Sequence, residues 1–258
     1  MEETGKNPIQ VAERLFQVIE RLAENGPMGI MDLSAELGFH KSTTHHLVTS
    51  LQYMGYIRQD EESLKYALSL KFLEIGSKIL EQTNMASLIH PSLKKLSEQT
   101  GETVHLVRRE GTEAVYIDKV ESTVSSIRMV SRVGSRIPLY CSGVGKALLA
   151  ELPDPEIEDI WNSSEITSLT PYTVTSLSDL MDRIRGVREA GYAMDDEENE
   201  EGVRCIAVSI PDYHKEPVYA LSISAPVSRM TDARIAELST DVLTFKKDLE
   251  KTLGFSRS

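Results

Sequence analysis

Cysteine and tryptophan are scarce: the 258 residues hold two cysteines, Cys141 and Cys205, and one tryptophan. Two thiols so far apart make no disulfide framework and no C-x-x-C redox or zinc pair. The six histidines show no H-E-x-x-H or paired spacing, so no metal ligand is assigned and no cofactor is expected. Ser142 lies in Cys-Ser-Gly, outside any G-x-S-x-G nucleophile elbow. Long apolar runs are missing too; none approaches the roughly 20 residues that span a bilayer. No apolar stretch follows Met1-Glu2-Glu3, which argues against secretion and for a soluble protein of the reducing cytoplasm. Positive charge is short, with 28 Lys and Arg against 40 Asp and Glu and a net charge of -12. Bulk electrostatics therefore excludes a chain that coats nucleic acid or anionic membrane, and any DNA contact must be local.

What is present is ordinary globular material, 40% hydrophobic and 26% charged, with no internal repeat or low-complexity tract. The apolar spacing predicts a helix over 8–25, stopped by Asn25-Gly26-Pro27, then a short helix over 32–37 closed by Gly38. After the turn Gly38-Phe39-His40 a third helix is expected over 42–54, followed by a hairpin of strands 56–58 and 64–68 around Asp60-Glu61-Glu62-Ser63. A connecting helix over 70–82, striped with Leu70, Leu73, Ile75, Ile79 and Leu80, leads to a helix over 86–99. Strands are then expected at 104–109, 114–120, 127–130 and 138–141, and helices at 143–150, 155–161 and 178–190. Strands at 205–210 and 218–224 and a helix over 231–253 close the chain. The mixture lacks regular β-α alternation, so the second domain reads as α+β. The expected division is 8–69 for a winged helix-turn-helix, 70–84 for a linker helix and 85–256 for a second domain.

Residues 31–54 have the spacing of a helix-turn-helix, whose second helix presents its N-terminal half to the major groove while the hairpin acts as a wing. Ser42, Thr43, His46 and Thr49 are the residues on that helix not needed for a core, and short hydroxyls there can hold a phosphate or reach a base edge. The alternative is that Ser42 only caps the helix and the three helices form a structural bundle. Residues 1–84 carry eight Lys or Arg and twelve Asp or Glu, whereas a DNA-binding domain is usually basic. Yet no acid occurs between Glu36 and Asp60, a stretch holding His40, Lys41, His45, His46 and Arg58. The candidate DNA-binding set is Lys41, Ser42, Thr43, His45, His46, Thr49 and Arg58. With so few cations, affinity is expected from several copies on several half-sites.

The run Leu33-Ser34-Ala35-Glu36-Leu37-Gly38-Phe39-His40-Lys41-Ser42-Thr43-Thr44-His45-His46-Leu47, with Gly55-Tyr56-Ile57 and Tyr66-Ala67-Leu68, resembles the winged-helix domain of the IclR family of bacterial transcription regulators. The likeness continues through Arg128-Met129, 134–139, Ser142-Gly143-Val144-Gly145-Lys146-Ala147, Gly191-Tyr192, 195–205 and Leu221-Ser222-Ile223-Ser224, motifs of that family's effector domain. Two departures bear on phosphate contacts: His46 stands where members often carry arginine, and the wing tip is acidic. The resemblance implies a GAF-like effector domain with a mainly antiparallel sheet, homodimers through the N-terminal region and tetramers through the effector domains. It also implies operator DNA and a small organic acid as partners, with no membrane. Positions matching the family's effector contacts are Ser126, Met129, Leu139, Gly143, Val144, Asp195, Cys205, Ser222 and Ser224. Residues 131–140 and 197–208 resemble especially the repressors that respond to 2-keto-3-deoxygluconate.

The residues themselves allow this pocket. The two glycines of Ser142-Gly143-Val144-Gly145-Lys146 let a ligand approach the backbone where a helix begins, and free amides there favour a carboxylate; tight strand-on-helix packing explains the same spacing. Six of the seven residues 195–201 are acidic, a run expected to be solvated, except that Asp195 could turn inward and accept hydrogen bonds from ligand hydroxyls. Ser222 and Ser224, two apart on a strand, share a face, though such serines can simply bond to backbone. Cys205 reads as a buried strand residue touching the ligand. Asp195 with two serines favours a polyhydroxy keto acid; glyoxylate, pyruvate and aromatic acids are the alternatives, an aromatic acid wanting a more apolar wall. The rival of another class is an enzyme acting on a small acid, with the N-terminal domain serving only to oligomerise it.

Overall fold

The computed structural model describes residues 9–82, 85–122, 131–212, 214 and 216–253. The chain divides into two compact units, Met1–Thr83 and Asn84–Ser258.

In the first unit α1 (Gln10–Asn25), α2 (Ile30–Leu37) and α3 (Lys41–Tyr53) pack around Val18, Leu22, Leu33, Leu47, Val48 and Leu51, the inward positions of their 3.6-residue patterns. Gly38 takes the left-handed conformation (φ 65°) that ends α2, as the sequence pattern expects. The wing is the antiparallel pair β1 (Ile57–Gln59) and β2 (Tyr66–Leu68); the second strand lacks Leu64 and Lys65 of the expected 64–68 because Leu64 sits in the turn with φ 57°. Ile57 and Tyr66 plug the wing into the helical core, and Met28 exchanges backbone hydrogen bonds with Tyr66 at 2.9 and 2.8 Å. The chain continues into α4 (Lys71–Gln82). Leu70 and Leu73 of the expected stripe are largely exposed in a single copy.

The second unit opens with α5 (Met85–Thr100). Its strands are β3 (Thr103–Glu110), β4 (Glu113–Val120), β5 (Arg136–Pro138), β6 (Ala193–Asp196), β7 (Val203–Ile210) and β8 (Tyr219–Pro226). They form one antiparallel sheet in the order β5-β4-β3-β8-β7-β6. Helices α6 (Gly143–Leu149), α7 (Asp154–Ser163) and α8 (Leu177–Ala190) lie between β5 and β6 in sequence, and α9 (Asp232–Thr252) closes the chain. One face of the sheet packs Leu106, Ile206, Val208, Leu221 and Ile223 against Ile89, Leu93 and Leu96 of α5 and Leu238 and Val242 of α9. The other face carries Val107, Ala193, Ala207 and Ala220 beneath Val144, Ala147 and Leu148 of α6. A fold of antiparallel strands with helices on both faces is the α+β class expected.

The strands of this unit depart from expectation in two places. The strand expected at 138–141 lies earlier, at Arg136–Pro138, because Pro138 ends the pairing with β4 and Ser142 is already the N-cap of α6. Residues 193–196 form an edge strand that was not expected; four residues with two acids give little apolar alternation to read. The strand expected at 127–130 falls outside the described residues.

Alanines at 193, 207 and 220 leave room for α6 to lie close on the sheet, and Gly145 completes the fit. A Cβ built there would sit 2.1 Å from the Leu139 carbonyl oxygen, whereas one at Gly143 would meet Asp195 and Ala207 at 3.4–3.5 Å. Gly145→Ala is therefore expected to lower stability by at least about 1–3 kcal/mol, because backbone must move. Gly143→Ala should change it far less. Urea midpoints of the two variants compare them directly, and equal midpoints would disprove the close-packing account.

Candidate functional site

On α3 the inward residues Thr44, Leu47, Val48 and Leu51 are buried, which turns Lys41, Ser42, His45, His46 and Thr49 to solvent with Thr43 half-buried; Arg58 is exposed on β1. All seven candidate DNA contacts therefore lie on the surface of one unit. Ser42 does not cap the helix: His40 occupies the N-cap and no side chain bonds the first amides, so the Ser42 hydroxyl stands in the first turn. The angle between α2 and α3 is tied by a hydroxyl pair that sequence reading missed. Ser34 Oγ lies 3.0 Å from Thr44 Oγ1 and 2.7 Å from the Ile30 carbonyl, both side chains buried between the helices. Across the wing tip the Ser63 amide and hydroxyl donate to Asp60 Oδ1 at 2.8 and 2.7 Å, and these bonds hold the Asp60 carboxyl below its ordinary range. The acidic tip is thus an ordered turn that keeps its negative charge.

In the second unit the sheet register sets the candidate effector residues side by side. Asp195, Cys205 and Ser224 are successive cross-strand neighbours on β6, β7 and β8; Ala207, Ser222 and His105 form the next row. Directly paired residues of adjacent antiparallel strands point to the same face, so the polar groups share the α6 face. Ser142 Oγ accepts the Gly145 amide at 3.1 Å and donates to the Pro138 carbonyl at 2.6 Å, fixing the start of α6. Leu139 and Val144 are buried core residues, Leu139 against Gly145. Ser126 and Met129 lie outside the described residues.

Asp195 turns inward and is 3% exposed. Its Oδ1 accepts the Glu198 and Asn199 amides at 2.8 and 3.3 Å. Burial nevertheless pushes the carboxyl up to about 7, outweighing the nearby Lys146 ammonium and those amides, while Glu198 adds to the rise. The acidic run is less solvated than expected, because Glu198 is buried as well. Lys146 on α6 donates to Glu198 Oε1 at 2.5 Å, with both side chains 2% exposed. The signal for this pair was in the sequence only as a lysine inside an apolar helix pattern. Burial also raises both thiols, Cys141 to about 12 and Cys205 further, so neither is a thiolate nucleophile at neutral pH. Among the described residues no three His, Cys, Asp or Glu come together as a metal cluster, and no helix is long and apolar enough to cross a membrane.

The serines bond differently from the backbone alternative. Ser222 Oγ and Ser224 Oγ lie 3.4 Å apart, and the His105 ring Nδ1 sits 3.4 and 3.3 Å from them. Sequence reading missed His105, which is visible only through the pairing of β3 with β8.

A winged helix-turn-helix unit followed by an α+β unit with a buried polar patch defines a transcription regulator with DNA-binding and effector-binding domains. Residues 11–61 match the IclR helix-turn-helix domain, and residues 77–250 match the family described as bacterial transcriptional regulator IclR, C-terminal. The acetate operon repressor of Salmonella typhimurium is 36% identical over 252 residues, covering 96% of this chain and 92% of that protein. The regulator KdgR of Escherichia coli is 34% identical over 252 residues, covering 97% and 95%. The crystal structure of the Thermotoga maritima IclR superposes with a TM-score of 0.63 at 31% identity, covering 95% of this chain and 99% of that one. The chain belongs to the IclR family of bacterial transcriptional regulators. These relatives are named as regulators and repressors, which sets aside the enzyme reading.

A raised folded-state pKa at Asp195 has a definite consequence. The folded protein holds this proton where the unfolded chain, near 3.8, has released it. The contribution to stability is full below about pH 4 and is lost as pH rises through about 7. Asp195→Asn keeps the shape and cannot ionise, so the melting temperature of wild type minus that of the variant should fall between pH 5 and 8. A difference that stays flat or rises would show that the carboxyl is already ionised in the fold.

Proposed function

We propose that this chain is a repressor whose operator affinity is set by a small hydroxylated keto acid, 2-keto-3-deoxygluconate being the preferred candidate, in control of sugar-acid catabolism. The observation that carries the reading is the patch on the α6 face: Asp195, Cys205, Ser222 and Ser224 adjacent in register and close to Gly143. The Gly143 and Val144 amides carry the ligand's carboxylate in this reading, since Ser142 Oγ already takes the Gly145 amide. Asp195 and the serines then meet ligand hydroxyls, which donate and accept where an aromatic ring could do neither. The likeness of residues 131–140 and 197–208 to the 2-keto-3-deoxygluconate-responsive repressors supports a sugar-acid ligand over glyoxylate or pyruvate.

The proposed working limits are 8–69 for the DNA-reading domain, 70–84 for the linker and 85–256 for the effector domain. The working form is a homodimer or dimer of dimers in the cytoplasm. Exposed Val11, Phe16, Leu70 and Leu73 in the first unit support self-association, because apolar side chains of that size gain by being covered.

Three measurements test the reading. Replacing the half-buried Thr43 and the exposed His46 together by alanine should greatly weaken footprinting of the operator while the melting temperature moves little, since surface substitutions usually stay within about 0.5 kcal/mol each. An unchanged footprint would remove α3 from the reading role. Ser224→Ala should weaken binding of 2-keto-3-deoxygluconate by one to two decades, roughly 1–3 kcal/mol for a ligand group left without its partner. In the wild type, operator DNA must alter effector affinity by the same factor as effector alters operator affinity. An effector whose binding ignores the operator would dismiss it as the regulator's ligand.

A further inference from the structure

His105 is the third residue of β3, 2% exposed, and joins three hydroxyls. Its Nε2 is 2.7 Å from Ser131 Oγ, and its Nδ1 faces Ser222 Oγ and Ser224 Oγ at 3.4 and 3.3 Å. The ring meets Tyr116 edge-on at 5.1 Å, which holds its plane. Lys119, its cross-strand neighbour on β4, donates to the Ser131 carbonyl at 2.9 Å. Burial, helped by the Lys119 charge, drops the His105 pKa to about 3, so the ring is neutral at every physiological pH.

A neutral imidazole has one N–H and one lone pair, and which nitrogen holds the proton dictates what its neighbours must do. With the proton on Nε2, the ring donates to Ser131 and Nδ1 accepts from one of the serines. The pair then keeps lone pairs and one free O–H for a ligand. With the proton on Nδ1, the serines accept from the ring and both their O–H groups are free to point at a ligand oxygen. The first arrangement complements ligand hydroxyls, which donate and accept. The second complements a carboxylate or keto oxygen, which only accepts. The shorter contact, at Ser131, is the better seat for the ring N–H.

We propose that His105 is a specificity-determining positioning residue of the effector site: its Nε2–H tautomer orders Ser222 and Ser224 to receive hydroxyl groups, and so selects hydroxylated acids over bare keto acids. The proposal rests on the reading of Ser222 and Ser224 as effector contacts. It adds a residue outside the set that resemblance supplies.

The test uses full-length protein and two ligands with one keto-acid head, 2-keto-3-deoxygluconate with a hydroxylated tail and pyruvate without it. Their ratio of dissociation constants, measured by calorimetry, reports selectivity for hydroxyls. His105→Asn places an amide near the Nδ1 position and should retain the wild-type ratio within a few-fold. His105→Gln reaches toward Ser131 instead, leaves the serines unordered and should lower the ratio about tenfold or more. In protein labelled with nitrogen-15 at histidine, the His105 resonances should show the proton on Nε2 in the 2-keto-3-deoxygluconate complex. An Nδ1–H ring in that complex overturns the proposal. So does an unchanged ratio in His105→Gln, or an equal loss in both variants, which would mark a merely structural role. If Ser224→Ala also binds both acids as wild type does, the effector reading itself fails. If Ser224→Ala is impaired while His105→Gln keeps the wild-type ratio, only the role of His105 falls.

Discussion

The buried ion pair between Lys146 and Glu198 is the constraint around which the second unit is arranged. Two side chains exposed by only 2% would each cost several kcal/mol if left in that interior alone. Each must therefore be delivered to the other, and the local fold meets that demand. The tight seat of α6, made possible by Gly145 against Leu139, brings Lys146 down to the sheet. Glu198 is fixed from its backbone: its amide donates to Asp195, and its carbonyl accepts from Thr173 Oγ1 at 2.6 Å. Thr170 Oγ1 donates to the Glu197 carbonyl, also at 2.6 Å. Helix α6, the end of the edge strand β6 and the segment around 170–173 are thus joined through one pair of charges.

Asp195 inherits its character from that arrangement. It lies near a cation, but the cation is already neutralised by Glu198, so the surplus attraction is small and desolvation prevails. A carboxyl poised near neutrality can donate a hydrogen bond when protonated and accept when ionised, which suits a partner bearing hydroxyls. Farther along the same face, His105 is neutral for the same dominant reason, burial. The face between them is polar yet carries little fixed charge, so in the proposed effector site hydrogen-bond geometry rather than net attraction would decide between small acids.

The fold was legible wherever periodicity and punctuation agreed. Gly38 after Leu37, Gly191 after Ala190 and Ser142 before Gly143 each mark a helix limit that the structure keeps. The exposed face of α3 followed from the spacing of Leu47, Val48 and Leu51. Register was not legible, because it depends on pairings across long stretches of chain: β3 meets β8 more than a hundred residues later. For that reason Asp195, Ser222 and Ser224 could be named from motifs, while His105 and Glu198 could not. Glu198 was further disguised by its five acidic neighbours, since composition argues for solvent and only the position of Lys146 argues against it.

Charge sets a limit on how the first unit can hold DNA. Lys41 and Arg58 are the cations of the acid-free stretch between Glu36 and Asp60. Each phosphate neutralised by a cation contributes roughly 0.9 to the salt slope, so one copy supplies a slope of about two and little affinity by that route. The remaining candidate contacts, Ser42, Thr43 and Thr49 with two histidines, are hydrogen-bonding groups that discriminate more than they attract. The negative charge of the rest of the chain further opposes loose attachment along DNA. A reading head of this kind discriminates well and adheres weakly. In the proposed homodimer or dimer of dimers, occupancy of an operator would come from the number of heads presented together, and a signal that rearranged those heads would alter affinity without touching a single base contact.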